Sequence, residues 1–282
     1  MVTSFEQIRE QQQQSWNKFS SGWKKWDNFN MHFLEPMGKA IIYGLNLKDD
    51  NHILDIATGT GEPGITMASL VPNGKVTATD LAKDMLDIAA GNAMEKGLSN
   101  YETLIADACE LPFKEETFNA VSCRMGFMFF PDMQLGANEM YRVLKPGARI
   151  ATSVWAGPDL NNWVTTMMSV IQKHIELPAP VQGSPGMFRC AAPGLIAGIF
   201  KEAGFKKIQE VVVTGNVDYQ SFDQYWEMMM DVGAPIVAAL SGADEATKAI
   251  IKREVAELFK SRNEESEAVL QYASIIISAE KH

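Results

Sequence analysis

The chain has 282 residues, 46% of them hydrophobic and 21% charged, with a formal net charge of -10. That balance supports a full core in one large domain or two small ones and is too apolar for extensive disorder. The acidic surplus argues against a nucleic-acid partner, which needs clustered Lys and Arg for phosphates.

Three cysteines, Cys109, Cys123 and Cys190, are too scattered for a disulfide framework, a Cys-x-x-Cys zinc site or a shared metalloid site, so no metal is expected. The opening residues lack the apolar core of a secretory signal, and no window is long and apolar enough to span a bilayer. A cytoplasmic protein with no membrane partner is the expectation.

Residues 5–45 read as helices: a polar one ending near Phe19, where "SSGW" breaks it, and another beginning near Pro36. Then strand and helix alternate. "HILDIA" is a short apolar strand and "PGITMASLV" has helical spacing, with Pro63 near its first turn. "GKVTATD" is β-branched, and "KDMLDIAAGNAMEKGL" carries Met85, Leu86, Ala89, Ala93 and Leu98 on one helical face. "ETLIAD" and "FNAVSC" follow as strands, then the helix "MQLGANEMYRVL", the turn "KPGA" and the strand "RIATSVW". This rhythm means an α/β protein: a Rossmann-like, doubly wound parallel sheet with helices on both faces.

After Trp155 the rhythm changes. Helical insertions are expected at about 159–177 and 221–262, with "APGLIAGIFKEAGF" as a return helix, "KKIQEVVVTGNV" as a strand and "AVLQYASIIISAEK" as the last strand. The organisation follows: an N-terminal helical lid over 1–45, a cofactor-binding core over 46–156, and a segment 157–282 that completes the sheet and adds helical lids.

Ligands of such sheets bind at the carboxyl ends of the strands, near the switch point of the first strand. There the chain reads "ILDIATGTGEPG", residues 53–64, which contains the pattern G-x-G-x-x-G. Two cofactors compete for it. A nicotinamide dinucleotide would place its pyrophosphate on the turn, with Asp80, 19 residues after Gly61, on its ribose. Asp55 and Glu62 oppose that, because their charge repels a pyrophosphate.

S-adenosylmethionine (SAM) reverses the sign, since it carries an ammonium and a sulfonium and no phosphate. Asp55 can attract the ammonium, Asp80 can accept from both ribose hydroxyls, and Asp107 can accept from the adenine amine. Leu81, Met85 and Ala108 are placed to sandwich the adenine ring. Three acids on successive strand ends are a more specific signal than the glycine pattern alone.

At these residues the chain resembles the class I SAM-dependent methyltransferases, and among them the small-molecule enzymes related to the ubiquinone-biosynthesis C-methyltransferases. "ILDIATGTGEPG" resembles their first motif, "VTATDLAKDML" the second, "IADACELPF" the third and "EMYRVLKPGARI" the segment before the fifth strand. The likeness covers roughly residues 15–156, and "FKEAGFKKIQEVVV" more weakly. It implies a seven-stranded sheet whose last strand is antiparallel. It also implies that Asp55, Ala57, Gly59 and Gly61 cradle the methionine part, with Arg124 and Met125 lining the floor.

Two departures stand out. Ala57 occupies a position usually held by glycine, and Gly126-Phe127-Met128-Phe129 replaces the Gly-Leu-Arg-Asn run of the quinone-specific members. The second puts quinone precursors in question.

The expected reaction is methyl transfer to O, N or C of a small, apolar or aromatic acceptor. A nicotinamide-dependent oxidoreductase and a non-catalytic SAM-binding protein are the alternatives. Trp23, where the family often has a lid tyrosine, and Phe127 and Trp155, at strand ends four and five, are expected to face the acceptor. The Met and aromatic residues of the later insertions, such as Trp163 and Tyr225, read first as core. No general base can be named: His52 and His282 read as structural or terminal, and neither His32 nor His174 has a pattern that assigns it. The oligomeric state is not legible.

Overall fold

The computed structural model describes residues 4–179, 183–264 and 270–282. Two helices come first, α1 (Phe5–Lys25) and α2 (Asp27–Leu45). The core follows as β1 (His52–Ile56), α3 (Gly64–Leu70), β2 (Lys75–Asp80), α4 (Lys83–Glu95), β3 (Tyr101–Ile105), β4 (Phe118–Arg124), α5 (Met133–Val143) and β5 (Leu144–Trp155). The remainder is α6 (Asn162–His174), α7 (Leu195–Glu202), β6 (Lys206–Val217), α8 (Phe222–Val232), α9 (Ala234–Leu240), α10 (Glu245–Glu264) and β7 (Leu270–Glu280).

The seven strands lie in the order β3-β2-β1-β4-β5-β7-β6. The β1–β2, β2–β3, β1–β4 and β4–β5 pairs are parallel, while β7 inserts antiparallel between β5 and β6. The expected sheet, with its antiparallel last strand, is therefore present. The order reverses between β1 and β4, which opens a crevice at their carboxyl ends. Residues 180–182 of the "PAPVQGSPG" loop and 265–269 before β7 lie outside the described residues.

Two expectations at the N-terminus are corrected. "SSGW" does not end the first helix, which runs on to Lys25, and Pro36 lies inside α2 instead of starting it. Burial overrides both local signals. Phe33, Leu34, Met37, Ile41 and Leu45 form a continuous buried stripe that fixes α2 on the sheet. Phe33 stacks on Trp155 at 5.8 Å and meets Trp163 and Tyr272 edge-on at 5.2 and 4.9 Å. This aromatic knot ties α2 to β5, α6 and β7, and its burial far outweighs one backbone hydrogen bond lost at a proline.

Gly22 continues α1 for a steric reason. A Cβ there would stand 2.1 Å from the Asp231 carbonyl oxygen, so the glycine lets α1 touch α8 backbone to backbone. Around this contact Lys25 pairs with Glu227 and Asp231 at 2.5 and 2.8 Å, and the Trp26 indole donates to Asp231 at 2.8 Å. The other half of α1 lies across the strand ends: Gln13 Nε2 donates to the Leu81 carbonyl at 3.0 Å, and Asn17 Oδ1 accepts from the Asp84 amide at 3.1 Å.

Gly22→Ala is expected to force α1 away from α8. The loss should be roughly 1 to 3 kcal/mol, the usual cost of overpacking, read as a lower midpoint in denaturant unfolding.

Candidate functional site

The turn after β1 is built from left-handed residues. Ala57 has φ 54, Gly59 φ 57 and Gly61 φ 115. Glycine adopts these angles freely, whereas alanine is strained by roughly 1 kcal/mol. The Ala57 methyl is accommodated because its neighbour on β4's exit is glycine: a Cβ on Gly126 would stand 2.4 Å from it. At Gly59 the requirement is conformational, and its amide donates to Asp80 Oδ2 at 3.0 Å. Gly61 serves packing, since a Cβ there would meet Ile65 at 2.5 Å, and it does not line the crevice.

Asp55 takes a different place from the one expected. It is fully buried and is not among the residues that line the crevice. Its carboxylate accepts from Ser122 Oγ at 2.5 Å and Thr58 Oγ1 at 2.6 Å, which ties β1, its turn and β4 together. Burial pushes its pKa up to about 6, against the pull of those two hydroxyls.

A cavity of about 910 Å³, open mouth included, occupies the crevice. Asp80, Leu81, Met85, Asp107 and Ala108 line it from β2, α4 and the segment after β3, and Ala57 and Gly59 line it from the turn. Asp80 Oδ1 accepts from the Ala82 amide at 2.9 Å, so each carboxylate oxygen holds one backbone N–H and keeps capacity for another donor. Burial raises the Asp80 pKa, with these amides opposing. Asp107 accepts from the Cys109 amide at 2.8 Å and meets Arg9 of α1 at 3.5 Å.

The far wall comes from the first two helices and the exit of β4: Trp16, Trp23, Met31, Leu34, Phe129 and Phe130. Trp16 lies 6.1 Å from Trp23 and 5.3 Å from Phe129. The first residue of α2 locks it to the turn. Asp27 accepts from Thr60 Oγ1 at 2.6 Å and from Asn92 Nδ2 at 3.2 Å. Arg124 and Met125 also line the cavity, with Met125 at φ 59, a strained angle for a residue with a Cβ.

Phe127 and Trp155 do not reach the cavity wall. Phe127 is fully buried against Phe130 and Phe200, and Trp155 is held in the knot around Phe33. The histidines are elsewhere too. His52 bonds Thr77 at 3.0 Å, with burial lowering its pKa to about 4; His174 pairs with Glu254 at 3.0 Å; His32 is exposed. Burial pushes all three thiols up to about 12, and no group of three metal-ligating side chains occurs among the described residues. Trp163, Met167, Tyr225, Met228 and Met229 are buried core.

The donor set fits SAM. The wall carries the carboxylates Asp80, Asp107 and Glu62 with one arginine, a charge balance that suits a cationic nucleoside and repels a pyrophosphate. The sequence model of the ubiE/COQ5 methyltransferase family matches residues 14–169. The chain belongs to the ubiE/COQ5 methyltransferase family.

A demethylmenaquinone methyltransferase from Thermus thermophilus is 31% identical over 177 residues, covering 60% of this chain and 80% of the relative. Another, from Listeria monocytogenes, is 28% identical over 198 residues, covering 63% and 79%. Solved structures share the fold. The YcgJ protein of Bacillus subtilis superimposes with a TM-score of 0.57 at 18% identity, over 89% of this chain and 98% of that one. The phosphoethanolamine N-methyltransferase 2 of Haemonchus contortus gives 0.55 at 19% identity, over 99% and 60%. This member of the ubiE/COQ5 family is a SAM-dependent methyltransferase, and the dinucleotide alternative falls with that assignment.

Gln12, Trp16, Met31, Leu34, Thr60 and Phe130 line the cavity with no site role legible in the sequence, whereas Glu62 was legible there as an acid in the turn. Which helical face turns inward depends on how α1 seats on α8, and no local pattern reports that.

Two variants test the site. Asp80→Ala is expected to weaken S-adenosylhomocysteine binding by roughly 1.5 to 3 kcal/mol per charge-assisted hydrogen bond lost, measured by titration calorimetry. Asp55 binds its proton more tightly folded than unfolded, so its contribution to stability is greatest near its ordinary pKa of 3.8 and falls as pH rises to about 6. The difference in unfolding free energy between wild type and Asp55→Asn should therefore shift across that window by on the order of 3 kcal/mol and be flat above it.

Proposed function

We propose that the methyl acceptor is a hydroxylated aromatic ring, the class to which quinol precursors belong. The observation that carries this reading is the far wall of the cavity, made of Trp16, Trp23, Met31, Leu34, Phe129 and Phe130. Such a wall suits a flat, electron-rich ring. Trp23 belongs to that wall, and its indole Nε1 is buried with no hydrogen-bond partner among the described residues. The demethylmenaquinone methyltransferases among the relatives support the same class.

The departure at Gly126-Phe127-Met128-Phe129 bears on the substituents of that ring. Phe127 and Met128 are buried and Phe129 alone of the three lines the cavity, so an apolar surface stands where the quinone-specific members carry Arg-Asn. A less polar ring than a quinone precursor follows.

SAM, when bound, supplies the activated methyl group. The chain's own part is placement. Asp80 and Asp107 hold the nucleoside end, and the turn 57–60 admits the rest. The aromatic wall orients the acceptor and excludes water. Alignment of this kind contributes up to roughly 7 to 11 kcal/mol. Among the described residues no histidine lines the cavity, and methylation of a ring carbon or a phenol oxygen releases a proton for which no base is assigned. The first two helices, α1 and α2, act as the cover, with segments 159–177 and 221–262 supporting it from behind.

Incubation with methyl-labelled SAM and a panel of hydroquinones, naphthols, phenols and aliphatic amines tests the reading. Label is expected on the hydroxylated rings; label on amines alone would reject it.

A further inference from the structure

Arg124 is an unusual group for the floor of this cavity. It is half-buried, burial depresses its pKa, and its hydrogen bond is to the Met31 sulfur at 3.2 Å. Glu62, Asp55 and Asp27 attract it through space, yet among the described residues no carboxylate makes an ion pair with it. Each of those acids is committed elsewhere: Asp55 to Ser122 and Thr58, Asp27 to Thr60 and Asn92, and Glu62 to Lys96 and the Thr66 amide. A half-buried guanidinium whose close partner is a thioether has several N–H donors to spare.

Its position indicates what those donors read. Arg124 ends β4, which pairs directly with β1, so it stands beside the turn 57–60 and on the opposite side of the crevice switch point from Asp80 and Asp107. With the nucleoside at the ends of β2 and β3, the amino-acid end of the cofactor falls between the turn and Arg124. A bare guanidinium next to a sulfonium would repel it, whereas a carboxylate interposed between them satisfies both charges.

We infer that Arg124 is a positioning residue that binds the α-carboxylate of the cofactor. This rests on the assignment of SAM to the cavity. Glu62, on the same wall and held by Lys96 and the Thr66 amide, then contributes negative potential near the ammonium end of the zwitterion. The enzyme thereby distinguishes the complete cofactor from nucleosides that lack the amino-acid end.

The test is calorimetric and independent of turnover. Wild type, Arg124→Met and Arg124→Lys are titrated with S-adenosylhomocysteine, with its decarboxylated analogue, and with 5′-methylthioadenosine, which lacks the whole amino-acid end. Arg124→Met should lose S-adenosylhomocysteine affinity on the order of tenfold or more, the usual worth of a charge-assisted pair, with part of it restored by lysine. The two ligands without a carboxylate should bind the variants and the wild type alike.

Unchanged S-adenosylhomocysteine affinity in Arg124→Met would overturn the proposal and move Arg124 to the acceptor. An equal loss for 5′-methylthioadenosine would also overturn it. Wild-type protein that binds none of the three ligands would sink the cofactor assignment itself, a result separable from both.

Discussion

The site depends on a carboxylate that never reaches it. Asp55 sits at the end of β1 with no solvent contact and holds one hydroxyl from its own turn and one from β4. Those two bonds tie the turn and β4 to β1, beside the parallel backbone pairing of the two strands. Next to them Ala57 nests against Gly126 and the Gly59 amide reaches Asp80. A buried acid is an expensive tether, because burial raises its pKa to about 6. It is tolerated because removing it would release two strands and the turn together.

Around that tether the crevice divides into two halves of different origin. The core sheet supplies the acids and the turn. The opposite half comes from α1 and α2, which precede the sheet in the chain and are anchored at separate points: α1 through Gly22 on α8, α2 through Asp27 on the turn and Phe33 on the aromatic knot against β5 and β7. Its apolar wall is thus held by contacts on both flanks. Arg9, in the first turns of α1, reaches Asp107 on the wall of the same crevice at 3.5 Å.

The electrostatic argument for SAM survives with a change of actors. Asp80 and Asp107 line the cavity as expected, but the third acid on its wall is Glu62, which follows the turn, and the strand acid Asp55 stabilises the frame. Sequence spacing places a carboxylate near a ligand; it does not say whether the side chain points to the ligand or back into the sheet. In a strand that choice alternates residue by residue, and the hydroxyl partner that captures Asp55 lies 67 residues away at Ser122.

The amino-acid sequence by itself determined the alternation of strands and helices, the strand-end acids, the glycine turn and the family, because each is written within a few consecutive residues. The antiparallel β7 came from likeness, and the structure confirmed it. What only the tertiary structure decided are contacts between distant segments: Pro36 inside a helix whose apolar stripe outweighs it, Phe127 and Trp155 claimed by aromatic clusters, Gly22 pressed on Asp231, and Trp16 turned inward. Most local propensities involve about a kcal/mol each and a proline inside a helix about 3, while each large apolar side chain buried is worth roughly 1.5 to 3 kcal/mol and α2 buries five, so where the two disagree the packing of remote residues prevails.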